Sequence, residues 1–275
     1  MSSEMQQNTY TIGTVAALLK LSPDTIRHYE KCGLITPAKR ENGYRSYTDD
    51  DLINLLFILY FRKMDISLSH ITDFLKELRT SDQIEEILEA RIQEEETNIL
   101  KHRQNITRIR LTMEQNRKLL EYQQGFSLQR FPKAYIISEK GTAQELLFEW
   151  FRHAQNTPGL DMAYLYDEYA CSSPDGTPVY TRSRLLLYQE TAAVIPESFD
   201  LSACPRTPDQ LCVCYSCSGN DTHRPSAKLI SQMKEWAVQE GYQPAGTCFT
   251  TILSGAQDNK LKSRDLELYL PVSAT

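Results

Sequence analysis

The sequence predicts an α+β chain in three parts, and three observations carry that reading. A heptad seam free of Gly and Pro runs through the middle of the chain, over residues 81–124. Before it, residues 9–80 read as short amphipathic helices punctuated by turn and hairpin signals. After it, residues 125–275 read as strands and helices in the order β-α-β-β, given twice.

Composition narrows the classes. At 275 residues and 41% hydrophobic content the chain can build two small cores. Its formal charge of −6 gives no global nucleic-acid signature, so charge must be read by segment. Between Lys20 and Tyr47 the bases Lys20, Arg27, Lys31, Lys39, Arg40 and Arg45 outnumber the acids Asp24, Glu30 and Glu41, which makes a local basic patch. The stretch Met1 to Tyr10 is polar, and no apolar run approaches the ~20 residues of a membrane span, so a cytoplasmic location without a membrane partner is expected. Seven cysteines are an odd number for a disulfide framework and fit free thiols in a reducing compartment. No cofactor, catalytic residue or metal ligand is expected.

In chain order, Ile12, Val15, Ala16 and Leu19 fall at helical steps. Ser22 is a good N-cap and Pro23 suits a first helical position, so a second helix is expected to run to about Lys31. The pair reads as a helix-turn-helix, with Thr25, Arg27, His28 and Tyr29 on its second helix as candidate DNA contacts; for Tyr29 the alternative is a place in the core. Asn42-Gly43 is a hairpin signal, and the wing it closes would carry Lys39, Arg40, Tyr44 and Arg45. Thr48, with Asp49, Asp50 and Asp51, opens a helix expected to bury Leu52, Leu55, Leu56 and Leu59 and to bring Arg62 and Lys63 to its far end. A helix over Ser67 to Leu78 would make a second wing.

Written as heptads, the central helix has apolar a positions (Ile92, Ile99, Ile106, Met113, Leu120) and mixed d positions (Leu88, Glu95, His102, Ile109, Asn116). So narrow a stripe suits a helix lying against one partner helix, at once a spacer and a dimer handle. The alternative is a solvated helix packed on its own chain.

In the last part, Arg130–Ser138 reads as a strand, Thr142–Gln155 as a helix, and Met162–Tyr169 and Arg182–Glu190 as strands. Leu211–Cys217, Ser226–Glu240, Thr247–Leu253 and Asp265–Val272 repeat the order. Two such units would place helices on one face of their sheets and leave the other free for a ligand. Alternation sends Leu266, Leu268 and Leu270 toward the helices and Glu267 and Tyr269 the other way. Tyr164, Tyr166 and Tyr188 alternate similarly in the first unit. Ring faces around a carboxylate suit a flat cation, which makes Tyr164, Tyr166, Tyr188, Glu267 and Tyr269 the candidate ligand residues. The alternative is the solvent side of a half-exposed sheet.

Residues Tyr10-Thr11-Ile12-Gly13, Ile26-Arg27-His28-Tyr29-Glu30, Gly33-Leu34-Ile35 and Asn42-Gly43-Tyr44-Arg45-Ser46-Tyr47 resemble the DNA-binding domain of the MerR family of transcription regulators. The resemblance implies a winged helix-turn-helix, an antiparallel dimer seam, and DNA contacts at Arg27, His28, Tyr29, Arg40, Tyr44, Arg45 and Lys63. Met64-Asp65 stand where the family has Leu-Gly. The C-terminal part is similar to the GyrI-like effector domains of multidrug-sensing, BmrR-like members, through Tyr215, Gly219, Trp236, Gly241-Tyr242 and Glu267-Leu268-Tyr269-Leu270-Pro271-Val272. That similarity implies a homodimer on double-stranded promoter DNA, with RNA polymerase as partner. It also implies a lipophilic, cationic inducer met by Glu267, and activation by distortion of an overlong promoter spacer. Two other readings stand beside it: metal or redox sensing through Cys212, Cys214 and Cys217, and hydrolysis of small electrophiles by the C-terminal domain.

Overall fold

The computed structural model describes residues 8–40, 43–76, 78–122, 125–139, 142–173, 176–219, 224–253 and 264–274, and the side chains of all of these except 119–122, 217–219, 253 and 264–265. Two compact units meet in sequence between Asn98 and Ile99.

In the first unit, α1 (Ile12–Leu19) is capped by Thr11, and Lys20 closes it in the left-handed conformation. Helix α2 (Pro23–Lys31) starts as its sequence requires, the Ser22 hydroxyl accepting from the Thr25 N–H at 3.0 Å. Strand β1 (Thr9–Tyr10) and β2 (Ala38–Lys39) flank β3 (Arg45–Thr48) in an antiparallel wing. Asn42 of the hairpin signal lies outside the described residues. Gly43 has a φ of 80°, and its N–H donates to Arg40 O at 2.8 Å to close the turn. Helix α3 (Asp49–Lys63) opens with a reciprocal cap between Thr48 and Asp51, and α4 (Leu68–Leu75) opens on Ser67. The core gathers Val15, Ile26, Tyr29, Leu34, Tyr47, Leu55, Ile58 and Ile71. One expectation fails here: Leu56 is 61% exposed and Ile58 takes the inward position, because the inward face follows Leu55 and Ile58 at i, i+3. Ile53, Phe57 and Tyr60 are exposed with Leu56.

The Met64-Asp65 corner works without glycine. Asp65 adopts a φ of 57°, a left-handed conformation in which Asp is better tolerated than most residues. Arg91 holds it, its Nε donating to Met64 O at 2.7 Å and its Nη2 lying 3.1 Å from the Asp65 carboxylate. Arg91 belongs to α5 (Ser81–Tyr122), a single helix of 42 residues and, at about 1.5 Å per residue, roughly 60 Å long.

The second unit is built on one antiparallel sheet. Strands β4 (Ser127–Arg130), β5 (Ala134–Ser138), β6 (Tyr164–Ala170), β7 (Val179–Tyr188), β8 (Leu211–Gly219), β9 (Tyr242–Pro244), β10 (Thr247–Leu253) and β11 (Arg264–Ala274) form it. Its order is β4-β8-β11-β10-β6-β7-β5, with β9 on β11. The two β-α-β-β units therefore fuse through β10 and β6, from Thr247↔Ala170 to Thr251↔Tyr166. The single strand expected over 130–138 is two strands, because Phe131-Pro132 interrupts it and sends its halves to opposite edges of the sheet.

Helix α6 (Ala143–Asn156) has a reciprocal cap between Thr142 and Glu145, and α7 (Ala227–Gln239) is capped by Ser226. Leu266, Leu268 and Leu270 pack with Ile230 and Met233 of α7, as alternation requires. The opposite face is covered, contrary to expectation. Phe131 lies across it against Tyr166, Phe249 and Tyr269, with ring centroids 5.0 to 5.4 Å apart. The C-terminal half of α5 contributes the rest of the cover through Gln115 and Lys118. Among the described residues no helix is long and apolar enough to cross a membrane.

Candidate DNA interface and ligand site

The first unit displays its basic groups on α2 and the wing. Arg27, His28, Lys39, Arg40, Tyr44 and Arg45 are exposed, as is Lys63 at the end of α3, and Thr25 is half-buried. Tyr29 is set apart from them, 7% exposed and packed in the core. Side chains already position several of these groups. Arg27 pairs with Asp24 at 2.6 Å, and Arg40 donates to Thr9 Oγ1 at 2.7 Å. Glu30 clasps wing to helix, accepting from Arg45 Nε at 2.6 Å and from the hydroxyl of the fully buried Tyr47 at 2.5 Å. Hydrogen bonding to Glu30 and burial both hold the Tyr47 phenol protonated, burial being the larger cause. Glu30 was legible only as an acid in a basic stretch, since nothing in the sequence places Tyr47 beside it.

In the second unit the sheet brings together the five residues expected to meet a ligand. Tyr166 and Tyr188 share a hydrogen bond between hydroxyls at 2.8 Å, and Tyr188 stacks on Tyr164 with centroids 4.5 Å apart. Tyr269 lies beside Tyr166 at 6.2 Å. Burial pushes the Tyr164 phenol up to about 12 and those of Tyr166, Tyr188 and Tyr269 well above their ordinary value, with the negative charge of Glu267 adding to the effect. All four are neutral rings at neutral pH. Glu267 is 0% exposed, and among the described residues neither carboxylate oxygen has a hydrogen-bond partner. Its counter-charge is Lys118, whose Nζ is 3.7 Å from Oε1.

Lys118 belongs to a stripe that the search for apolar periodicity missed. Gln104, Arg108, Leu111, Gln115 and Lys118 recur at steps of four and three, on the c and f positions of the heptads. Gln104 donates to Val194 O at 2.9 Å, Arg108 grips Asp161 with two bonds of 2.7 and 2.8 Å, and Gln115 donates to the Tyr164 hydroxyl at 2.7 Å. The a and d residues Ile99, Ile106, Ile109 and Met113 are meanwhile exposed. Leu120 of the same seam has a side chain outside those described. One face of the helix is thus committed to the second unit by polar bonds while the apolar face stands open.

A cavity of about 560 Å³ lies between Leu147 and Trp150 of α6, Leu165 and Asp167 of β6, Thr250 of β10, and Arg108 of α5. Tyr164, Gln115 and Thr251 also line it, and Thr251 is the ladder partner of Glu267. Glu267, Tyr166, Tyr188 and Tyr269 do not line it.

Among the described residues the thiols of Cys171 and Cys248 meet at 3.3 Å, away from Cys212 and Cys214. Cys212 and Cys214 are buried under Phe131, burial pushing Cys212 up to about 12 and Cys214 higher still, so both are protonated at neutral pH. The side chain of Cys217 lies outside those described.

Residues 10–78 match the model of the MerR HTH family of regulatory proteins. The HTH-type transcriptional regulator ZntR of Escherichia coli K12 is 38% identical over 96 residues, which are 33% of this chain and 68% of ZntR. A ZntR homolog of Haemophilus influenzae is 39% identical over 93 residues, 32% of this chain and 69% of that protein. Among solved structures, a complex of EcmrR with DNA is similar over 97% of this chain and all of EcmrR, at 16% identity and a TM-score of 0.35.

Proposed function

The chain belongs to the MerR family of helix-turn-helix DNA-binding regulators, and from that premise we propose that it is a ligand-responsive regulator whose C-terminal unit binds a lipophilic cation. Two chains pair along the open a/d face of α5, and the two wings and α2 helices engage a near-palindromic promoter. Arg27, Arg40 and Tyr44 contact the duplex, and RNA polymerase reads the resulting change in DNA shape. Ligand binding favours a distorted promoter whose deformation cost is offset by contacts of the activated dimer. The C-terminal unit is GyrI-like in this reading, and the protein is a cytoplasmic sensor of the multidrug type and not an enzyme.

One observation carries the ligand assignment. Glu267 is a fully buried carboxylate that takes no hydrogen bond from the described residues and lies among neutral tyrosine rings. Carboxylate oxygens so placed are open to a ligand cation, and ring faces add about 0.5 to 2 kcal/mol each toward it. The cavity touches the tyrosine face only at its border, through Tyr164, Gln115 and Thr251, while Leu165, Asp167, Thr250 and Leu266 line it on the helix side of the sheet.

Fluorescence titration of the full chain with lipophilic cations, neutral dyes and anions tests the assignment. Saturable binding of cations is expected, and Glu267→Gln should weaken it at least about tenfold, the loss of about 1.4 kcal/mol of charge interaction. Equal cation affinity in wild type and variant would sink it.

A further inference from the structure

Most buried carboxylates take hydrogen bonds from N–H or O–H groups, up to about four for two oxygens. Glu267 takes none among the described residues. Lys118 supplies charge but not donors, since 3.7 Å is beyond hydrogen-bond reach. Its side chain is 20% exposed, so a path to water stays open to it. Other carboxylates are near enough to matter: burial and the charge of Glu114 raise the Glu190 carboxyl, and Lys118 works against that rise. A lysine released from Glu267 would still have negative neighbours.

We propose that the Glu267 seat is built for a cation that carries N–H donors, an ammonium, amidinium or guanidinium on an apolar body, and that Lys118 is the resident cation this head group displaces. The inference rests on Glu267 being the ligand-binding acid. It narrows the class of ligand by the use made of the lone pairs. Any cation gains from the carboxylate charge and the rings of Tyr166, Tyr188 and Tyr269. Only an N–H donor converts the idle oxygens into charge-assisted hydrogen bonds, which are about twice as strong as neutral ones. A quaternary or phosphonium centre keeps its charge behind carbon and leaves those oxygens as they are. Lys118 then sets a threshold, because every entering cation competes with an ammonium attached to the helix itself.

The test is calorimetric titration of the full chain with a matched pair, 4-phenylbutylammonium and its N,N,N-trimethyl analogue. The primary ammonium is expected to bind at least about tenfold more tightly, the worth of one good charge-assisted bond. Lys118→Met should tighten ammonium binding several-fold by removing the competitor. A trimethyl compound that binds as well as the primary one overturns the donor requirement. Ammonium affinity that is unchanged or weaker in Lys118→Met overturns the competition. Should neither cation bind wild type or Lys118→Met, the reading of Glu267 as the ligand acid fails, and the ligand class falls with it. The Lys118–Glu267 link is decided separately by thermal unfolding of Lys118→Met, Glu267→Gln and the double variant. A double variant less destabilised than the sum of the singles supports the pair, and strict additivity overturns it.

Discussion

Replacing Glu30 by alanine should loosen the wing from α2, and the size of the effect can be worked from the clasp. The substitution removes the acceptor of the Tyr47 hydroxyl, which is fully buried and bonded at 2.5 Å. A buried donor left without a partner costs about 1–3 kcal/mol. It also removes the ion pair with Arg45, whose exposed side chain leaves that pair screened by solvent. The loss is therefore about 1–3 kcal/mol, set by the Tyr47 hydroxyl and confined to the first unit. Both tryptophans, Trp150 and Trp236, lie in the second unit, so tryptophan fluorescence is blind to this change. Hydrogen exchange read by mass spectrometry over residues 22–48 is the suitable assay, because it reports local opening free energy segment by segment. Faster exchange in those peptides is expected, with the α6 and α7 peptides unchanged. Adding Tyr47→Phe to Glu30→Ala should recover part of the loss, since no orphan hydroxyl then remains. Exchange in Glu30→Ala within about 0.5 kcal/mol of wild type would refute the reasoning, that being the ordinary scale of a surface change.

Further expectations concern α5 and the loop it touches. Ile106→Glu puts a charge on the open seam and should shift the proposed dimer toward monomer in sedimentation velocity; sedimentation identical to wild type would mean the seam is not a dimer interface. Gly159 has a φ of 96°, and a Cβ there would stand 2.8 Å from Ile195 Cδ1 and 3.2 Å from Gln104 Nε2. Gly159→Ala should therefore cost about 1–3 kcal/mol, read by Trp150 fluorescence during urea unfolding, since Trp150 donates to the nearby Leu160 carbonyl. The hydrogen bonds from Arg108 lower the Asp161 carboxyl below its ordinary value. An acid lowered on folding stabilises the fold above its unfolded pKa, about 4, and loses that contribution as pH falls through the lowered value. Asp161→Asn should thus flatten part of the acid dependence of second-unit stability below about pH 4, and an identical pH profile would refute it.

Much of this molecule could be read from capping residues. Ser22 and Thr48 announce two helix starts and bond the backbone as their positions imply, and Thr11, Thr142 and Ser226 cap three more in the same way. Strand alternation was equally legible, because Leu266, Leu268 and Leu270 on one face leave Glu267 and Tyr269 no choice but the other. What sequence could not supply was the identity of the cover. Phe131 reached the tyrosine face because Pro132 broke its strand, an event whose direction no local signal sets. The Lys118 stripe escaped for a different reason: apolar periodicity is blind to a seam written in Gln, Arg and Lys. The exposure of Leu56 beside the buried Leu55 and Ile58 is a phase choice within an apolar run, and both phases satisfy the pattern.

The polar writing of that stripe has a consequence for reversibility. A helix held down by leucines leaves a greasy scar when it lifts, and the opened form tends to stick to others of its kind. On α5 Gln104, Arg108 and Gln115, bonded to Val194, Asp161 and Tyr164, can exchange each protein bond for one with water at small net cost. Leu111, buried against Met162 and Val194, is the main apolar anchor among them, and re-exposing a leucine costs about 1.5–3 kcal/mol. Over Gln104 to Lys118 the helix is thus fastened mainly by polar contacts, with Leu111 as the apolar anchor among them.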